Sequence, residues 1–446
     1  MTSPPTHRAG VADPLDFEAR TYRRVTWRLL PFLFLCYILA YLDRVNVGFA
    51  RLQMQADLGL SDTAYGIGAG MFFIGYFFFE VPSNLLLRRI GARVWIARIM
   101  VLWGLISSGM MFTNSQTTFY VLRFLLGVAE AGFFPGIILY LTFWYTRAHR
   151  ARMVALFMTA IALAGVFGGP VSGLIMDRMG GVGGLRNWEW LYLLEGLPSV
   201  VVGFLVLVYL DDGPERASWL TAEQKALIAR RLAEEEALKA ADGRHAQHIG
   251  DVFRNPAVWV LSLIYFGAVM GNYGVTFWLP QIIRETITTS PWRIGLVSMI
   301  PWGVAAVTAV IVGASSDRHQ ERRWHIATGA AIGSVAFALS GVPGISGWTG
   351  LAFLTIATAG MMSTMTTFWS LPTAILSGNA AAAGIAWINS LGNLSGYVSP
   401  FVLGAIRDAT RDAAHPNGNM FLALLVLAFS LFMAGVLTLV VTRRRV

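Results

Sequence analysis

The chain has 446 residues, of which 55% are hydrophobic and 13% charged, and its mean hydropathy is +0.58. Apolar runs of roughly 20 or more residues recur along almost its whole length, which is typical of several membrane-spanning helices and excludes a soluble globular enzyme. The formal net charge of +9 does not indicate nucleic-acid binding, because the arginines fall in short joints between apolar runs. The one cysteine, Cys36, excludes an intrachain disulfide.

The apolar runs predict twelve membrane-spanning helices and hence an all-α membrane protein. Backbone groups cannot stay unpaired in hydrocarbon, and the runs lack the alternation of barrel strands. Residues 1–28 contain no cleavable signal peptide, so we expect the first run to remain as an anchor. The approximate spans are 28–50, 63–87, 94–112, 117–142, 152–176, 189–210, 256–283, 292–315, 325–343, 351–376, 380–405 and 418–441.

Arginines mark alternate joints between the predicted spans. Because cytoplasmic joints carry an excess of Lys and Arg, both termini are predicted to be cytoplasmic. The arginines that mark this side are Arg20, Arg23, Arg24, Arg88, Arg89, Arg93, Arg147, Arg150, Arg152, Arg318, Arg322, Arg323, Arg443, Arg444 and Arg445.

The spans fall into two halves separated by a polar segment. We predict a cytoplasmic N-terminal tail at 1–27, a six-helix bundle at 28–210, a cytoplasmic linker at 211–255 and a second six-helix bundle at 256–446. Duplication of this kind is typical of secondary transporters, whose substrate site lies near the membrane midplane between repeats.

The linker contains a predicted helix of its own. Thr221 and Gln224 have the spacing of a capping box before a charged segment that runs to Lys239. Two interpretations stay open, namely a solvated amphipathic helix on the membrane surface and a site for a regulatory partner.

The stretch from Thr117 to Tyr145 reads as one long apolar helix, yet it carries Arg123 and Glu130. Seven residues further along an α-helix, a side chain points to within about 20° of the starting direction. Arg123 and Glu130 therefore share one face of the helix with Gly127 and Phe134. In lipid, each charge would cost roughly 2.5–3.5 kcal/mol near the helix centre. We therefore expect both to face a wet cavity lined by protein.

Glu130 is the first candidate for proton coupling and Asp43 the second. Desolvation of Glu130 favours the protonated acid, whereas the nearby Arg123 opposes this, so the carboxyl can bind and release protons during a transport cycle. The alternative for Glu130 is a permanently neutral acid that packs helices together.

Arg44 is the candidate for binding an anion. Asp43 and Arg44 lie roughly 10 Å below the outer end of span one, and Arg123 has a similar depth in span four. If these helices adjoin, Asp43 can pair with Arg123 and leave Arg44 free for a carboxylate, which a guanidinium binds through two parallel hydrogen bonds. The alternative is a purely structural ion-pair cluster.

The second half carries no charge deep in any span but offers polar and aromatic candidates for substrate binding. Asn389 and Asn393 are four residues apart on one helix face, where each can donate and accept hydrogen bonds. Such asparagines can instead join helices. The full set of uncharged candidates is Tyr41, Tyr76, Asn272, Trp369, Ser370, Asn389 and Asn393.

Two further acids, Glu80 and Glu195, lie in apolar runs. We expect Glu80 to belong to a gate or to anchor a loop, and Glu195 to hold local structure. Neither is predicted to contact substrate.

The joints after spans two and eight, residues 84–93 and 313–323, form a weak repeat with arginines at the same point of each half. They resemble the gating motif Gly-x-x-x-Asp-Arg-x-Gly-Arg-Arg of the major facilitator superfamily. The first copy departs from it at Asn84 and Arg88, and the second at Gln320. The resemblance covers nearly the whole chain and implies the two-bundle major facilitator fold.

Further motifs resemble the anion:cation symporter branch of that superfamily, and in particular its tartrate, phthalate and hydroxyphenylacetate permeases. The resemblance implies gating by Asp317, Arg318 and Arg89, and import of organic anions with protons. The motifs are Tyr41-Leu-Asp43-Arg44-Val-Asn46, Arg123 to Gly136, Trp190 to Pro198, Ile388 to Gly396, Phe368 to Gly378 and Ala380 to Gly384.

The sequence therefore predicts a secondary transporter that imports an organic carboxylate, such as a tartrate-like, sugar or aromatic acid, by proton symport through alternating access. An exchanger or exporter is the first alternative, since residues 165–173 resemble a motif found in antiporters. A non-transporting receptor is the second.

The expected partners are a small organic anion, protons and the lipid bilayer. We expect a monomer in the cell inner (plasma) membrane. No phosphate-binding Gly-Lys loop and no His/Cys cluster occurs in the sequence, so no enzyme activity, metal or cofactor is predicted.

Overall fold

The computed structural model describes residues 14–241, 254–375, 379–412 and 416–443. Residues 1–13 of the predicted tail and 242–253 of the predicted linker lie outside this part, as do Gly378, Arg444 and Arg445. The side chains of Arg88, Arg147, Arg152 and residues 380–383 are also outside it.

The described chain is almost entirely helical and contains no β-strand. Its α-helices in chain order are α1 (Pro14–Val45), α2 (Val47–Asp57), α3 (Asp62–Ile90), α4 (Ala92–Gly109), α5 (Gln116–Glu130), α6 (Phe133–Thr142), α7 (Arg147–Arg178), α8 (Asn187–Tyr209), α9 (Ala222–Ala241), α10 (Pro256–Thr286), α11 (Pro291–His319), α12 (Arg323–Ser340), α13 (Gly347–Phe368), α14 (Ser370–Ile375), α15 (Asn379–Asn393), α16 (Ser395–Ala409) and α17 (Met420–Arg443).

Each of the twelve predicted spans coincides with one helix or with two consecutive helices of this series. Within the described residues, nine of these segments are long and apolar enough to cross a membrane. The other three are residues 147–178, 323–340 and 379–409. The helices therefore support the predicted all-α membrane architecture.

Four spans are irregular beside a candidate site residue. At Asn46, Trp369 and Leu394 the backbone keeps helical dihedral angles, so the helix is only locally distorted there and is not broken. In span four the helix breaks outright after Glu130, where Gly132 has φ +84°. The prediction of one continuous helix over 117–145 is therefore wrong, and Glu130 ends α5 instead of sharing a continuous stripe with Phe134.

The break depends on glycine at position 132. Its positive φ is unfavourable for residues with a Cβ. A Cβ there would also lie 2.4 Å from the Ser83 hydroxyl oxygen, and that hydroxyl accepts a hydrogen bond of 3.0 Å from Trp95 Nε1. The end of α5 and the carboxyl group that it carries are thus fixed by packing against α3.

The two halves meet along two pairs of long helices, α3 with α16 and α7 with α11. Glycines permit this close approach, because a Cβ at Gly295 would lie 2.3 Å from the Gly169 carbonyl oxygen. Gly169 belongs to the glycine-rich stretch at 165–173, so that stretch is a contact between the halves.

The linker helix α9 lies against the first half. The predicted capping box is confirmed, with Thr221 N–H donating to Gln224 Oε1 at 3.2 Å and Gln224 N–H to Thr221 Oγ1 at 3.3 Å. Arg231 forms an ion pair with Glu18 of α1. We call the end of the bundle that carries this helix the linker end, and the end with the turns at 58–61 and 287–290 the opposite end.

Replacement of Gly132 by alanine is expected to destabilise the protein by about 1–3 kcal/mol, since it adds αL strain and a contact with Ser83. Thermal unfolding of the detergent-solubilised protein measures this. Gly109→Ala is the matched control, because a Cβ at Gly109 meets nothing within 4 Å. Equal melting temperatures for the two variants would contradict the assigned role of Gly132.

Candidate functional site

An ion pair between Arg44 and Glu130 of the first half lies on the side of that half that faces the second. Nη2 of Arg44, near the end of α1, donates to Oε1 of Glu130, the last residue of α5. The Glu130 side chain is 1% exposed and that of Arg44 is 12% exposed. Neither Glu130 Oε2 nor Arg44 Nε has a hydrogen-bond partner among the described residues. Both groups therefore retain bonding capacity for a third partner.

Arg44 also connects this pair to the second half. Its Nη1 donates to the Tyr273 hydroxyl at 3.4 Å, and that hydroxyl donates to Asn393 Oδ1 at 3.3 Å. The guanidinium lies over two rings of α3, with its Cζ 5.1 Å from the Phe72 centroid and 5.5 Å from that of Tyr76. The site thus combines one buried cation, one buried acid, aromatic rings and an amide from the facing bundle.

Asp43 does not pair with Arg123, so that predicted ion pair is wrong. Its carboxylate accepts hydrogen bonds from Trp103 Nε1 at 2.9 Å, Ser107 Oγ at 2.6 Å and Ser199 Oγ at 2.7 Å. These three neutral donors come from α4 and α8. Asp43 is fully buried and faces the interior of the first half, because adjacent helix residues point about 100° apart.

Arg123 lies close to the site without an acidic partner among the described residues. Its Nη2 donates to the Ala69 carbonyl oxygen at 3.0 Å, and its Cζ lies 5.3 Å from the Phe72 centroid. The side chain is fully buried, and Nε and Nη1 have no hydrogen-bond partner in the described part of the chain. The Phe72 ring therefore contacts both buried guanidiniums.

The predicted asparagines of α15 take part in two different contacts. Asn393 belongs to the Arg44 network, whereas Asn389 Nδ2 donates to Glu80 Oε1 at 3.4 Å. The neighbouring Ser390 hydroxyl donates to Glu80 Oε2 at 2.8 Å. Glu80 thus connects the halves on the linker side of the central ion pair, and its role as a gate or a loop anchor stays a prediction.

The remaining candidate residues are Trp369, Ser370 and Asn272 of the second half and Tyr41 of the first. Trp369 packs edge-on against Tyr265 with centroids 4.8 Å apart, and the Ser370 hydroxyl donates to the Thr367 carbonyl at 2.7 Å. Asn272 and Tyr41 are buried. The Asn272 Oδ1 and the Tyr41 hydroxyl make no hydrogen bond with a described residue.

A charged cluster closes the opposite end between the halves. Asp62 of the first half accepts from Arg51 at 2.5 Å and from Arg407 of the second half at 2.9 Å. Arg407 also binds Glu285 at 2.7 and 3.0 Å. Each of these four side chains keeps a partner within its own half, so separation of the halves breaks the Asp62–Arg407 bond without leaving either charge unpaired.

The residues of the gating motif make no contact between the halves within the described structure. Asp317 pairs with Arg322 in its own joint, while Arg318 and Arg89 are exposed. In the same joint, partial burial would raise the pKa of Glu321, but hydrogen bonds from Trp324 and His325 outweigh it and lower that pKa. This joint is a self-contained turn, and the gating roles stay predictions.

Sequence reasoning missed the cluster at the opposite end and the bonding partners of Asp43. Asp62, Glu285 and Arg407 sit near helix ends, and Arg51 lies in the short helix α2 just beyond the predicted end of span one. Charges are ordinary at such places, and nothing in their spacing indicates that the four residues meet. The described residues contain no group of three or more His, Cys, Asp or Glu side chains that could hold a metal ion.

Comparison with known proteins places the chain in a transporter family. Residues 33–400 match the model of the Major Facilitator Superfamily. The chain is 46% identical over 414 residues to “Putative metabolite transport protein NicT” of Pseudomonas putida, covering 93% of this chain and 94% of that protein. It is 45% identical over 433 residues to a “Putative tartrate transporter” of Agrobacterium vitis, covering 96% and 92%. These relatives are named as transporters and not as enzymes.

Solved structures give the same fold. A bacterial homologue of the human lysosomal transporter Spinster, in an inward-facing and occupied conformation, matches with a TM-score of 0.75 at 16% identity, covering 95% of this chain and 97% of that one. A D-xylose-proton symporter matches with a TM-score of 0.69 at 15% identity, covering 92% and 97%. The predicted all-α fold of twelve spans in two bundles is confirmed.

Arg407→Gln is expected to weaken closure of the opposite end, because loss of one member of a buried ion pair costs about 3–5 kcal/mol. In a Cys36→Ala background, a cysteine at Val45, which lines the cavity between the halves, should react faster with a water-soluble maleimide. Arg178→Gln is the control, since Arg178 is 75% exposed, pairs with Asp177 of its own helix at 3.4 Å and should change the rate far less. Unaltered labelling in Arg407→Gln would refute the closing role.

Proposed function

The chain belongs to the major facilitator superfamily, and we propose that it imports organic carboxylate anions together with protons by alternating access. The observation that carries the proposal is the buried ion pair of Arg44 and Glu130, in which both partners have unused hydrogen-bonding capacity. Such intramembrane charges are costly and mark substrate or proton pathways.

Proton and anion compete through this pair. While Glu130 is ionised, its carboxylate occupies the Arg44 guanidinium. A proton that binds Glu130 removes that negative charge, and the carboxylate of the cargo then takes its place on Arg44. The site holds the same net charge before and after, so the buried cation is never left without a counter-charge.

Co-transport of protons also supplies the driving force for uptake of the anion. The inward-negative membrane potential opposes the entry of an anion by about 2.3 kcal/mol per charge per 100 mV. One co-transported proton cancels that charge, and further protons make uptake electrically favourable. Asp43 is the second proposed proton site, because its carboxyl is buried among neutral donors only.

Contacts from both halves support a cargo that carries a carboxylate together with further polar groups or a ring. Arg44 offers a bidentate site for carboxylate. Asn393 and Tyr273 can bind hydroxyls, while Phe72 and Tyr76 can pack against an aromatic ring. Arg123 is a second cation beside Phe72. The relatives named as tartrate transporters are consistent with this class.

The two closed ends fit a rocking cycle. Opening of the opposite end breaks the Asp62–Arg407 bond, whereas opening of the linker end breaks the bonds from Asn389 and Ser390 to Glu80. In our proposal the linker end is cytoplasmic, both termini are cytoplasmic, the bacterial inner membrane is the location and one chain is the functional unit.

Anion exchange or export is the second candidate. The stretch 165–173 that resembles an antiporter motif packs against Gly295 of the facing half, and a relative 41% identical over 432 residues is named “Quinolone resistance transporter”. Counterflow that needs no pH gradient would favour exchange, and tight binding without flux would favour a receptor.

Glu130→Gln is expected to abolish proton-driven accumulation while substrate counterflow continues, since the amide cannot ionise. Proteoliposomes with an acidic exterior and clamped membrane potential measure both processes. Glu321→Gln, which alters a carboxyl group in an exposed joint, should accumulate substrate like the wild type. Undiminished accumulation in Glu130→Gln would remove this residue from coupling.

Arg44→Gln is expected to weaken anion binding about ten- to a hundredfold, the equivalent of about 1.5–3 kcal/mol for hydrogen bonds to a charged group. Binding is measured with tartrate, gluconate, phthalate and 4-hydroxyphenylacetate. Arg28→Gln is the control on the same helix, because the Arg28 guanidinium stacks over Tyr209 at 3.7 Å. Wild-type affinity in Arg44→Gln for the best ligand would exclude Arg44 as its binding residue.

A further inference from the structure

A small cavity lies between the halves on the opposite-end side of the central site. It has a volume of about 30 Å³ for water-sized molecules, and roughly 10–15 Å³ suffices for one water. Four of the residues that line it carry a hydroxyl group, namely Tyr41, Ser172, Thr276 and Ser298. Its position between α1, α7, α10 and α11 puts it at the interface that moves in alternating access.

The cavity has the polar lining of a hydrated site. The buried hydroxyls of Tyr41 and Thr276 lie beside each other, without a hydrogen bond of good geometry to any described residue. Buried polar groups are nearly always hydrogen-bonded, and those without a protein partner bind ordered water. A cavity of this volume with hydroxyl-bearing residues on its walls meets the requirements of a water site.

Ser172 connects the cavity to a buried acid that the transport scheme does not use. Its hydroxyl donates to Oε1 of Glu195 at 2.7 Å. The Glu195 residue is 4% exposed, and its Oε2 has no hydrogen-bond partner among the described residues. The charged or titratable groups that face it are Asp43 of α1 and Tyr192 of its own helix, and no described cation does so.

Glu195 also lies next to the surroundings of Asp43. Ser199, which donates to Asp43 at 2.7 Å, is four residues further along α8 and so lies on the same helix face. The buried amide of Asn46 lies beside Glu195 as well. A series of polar groups thus runs from the cavity through Ser172 and Glu195 to the neighbourhood of Asp43.

We propose that Glu195 relays protons between the hydrated cavity and Asp43. This inference rests on the proposed proton symport and adds a route for the proton. In each transfer, Ser172 gives its hydroxyl hydrogen to the Glu195 carboxylate and takes a proton from a protonated cavity water, H3O+, which is left as neutral water. One proton thus moves inward and the Ser172 hydroxyl is restored. Glu195 then holds the proton beside Asp43. The earlier expectation of a purely structural role for Glu195 is the competing explanation.

Glu195→Gln tests the relay, because the amide oxygen can still accept from Ser172 while the side chain no longer binds and releases protons. In proteoliposomes with clamped potential, one pH unit supports about tenfold accumulation per coupled proton. The variant is expected to lose this tenfold accumulation and keep substrate counterflow. Ser172→Ala should slow proton-driven uptake in the same way, since it removes the hydroxyl between the cavity and Glu195.

The control is Glu189→Gln on the same helix. Its carboxylate pairs with Arg186 at 2.6 Å at the opposite end, and its replacement should leave accumulation unchanged. If the wild type shows proton-driven accumulation and Glu195→Gln accumulates substrate equally well, the relay is overturned and the proposed symport is unaffected. The relay would also be overturned if Glu195→Gln lost both counterflow and accumulation while Ser172→Ala behaved like the wild type. A wild type without proton-driven uptake would refute the proposed symport itself.

Discussion

The ion pair of Arg44 and Glu130 is the constraint on which the rest of the central site depends. A cation buried between helices needs a counter-charge, and a lone buried acid is stable only when it is protonated or paired. Here each group satisfies the other, while Glu130 Oε2 and Arg44 Nε stay unbonded within the described structure. The break at Gly132 fixes the carboxyl at the end of α5, and Tyr273 links the pair to the facing bundle. In the proposed cycle, proton binding and anion binding are coupled through this one guanidinium.

The two ends of the interface are closed by different chemistry. At the opposite end, Asp62 and Arg407 form a buried ion pair whose members each keep a second partner in their own half. On the linker side, Glu80 accepts hydrogen bonds from the neutral Asn389 and Ser390. Charged contacts that retain their local partners can separate without stranding a charge. Water that enters as the linker side opens can replace the hydrogen bonds from Asn389 and Ser390 to the Glu80 carboxyl. Both closures are thus compatible with repeated opening.

The sequence was sufficient for the helices and for most of the central residues, because hydrophobic length and buried charge are properties of the chain itself. Arg44, Glu130 and Asn393 could be singled out as polar groups in apolar runs, and the structure brings them into one network. Their partners could not be predicted. The rotation of α1 decides that Asp43 meets Ser107 and Ser199 instead of Arg123, and the break at Gly132 requires a positive φ that an apolar pattern does not reveal. Contacts between the halves, such as Asp62 with Arg407, join residues more than 300 positions apart in the sequence. They depend on how the helices pack, which the sequence pattern does not reveal.

The most direct test of the central claim is a count of protons taken up when an anion binds. Purified protein in weakly buffered detergent solution is mixed with the best-bound carboxylate, and the pH change is recorded at saturation. If the cargo replaces the Glu130 carboxylate on Arg44, linkage requires uptake of about one proton per bound anion at that residue, and Glu130→Gln should lower the count by about one. Anion binding with the same proton count in both proteins would contradict the account.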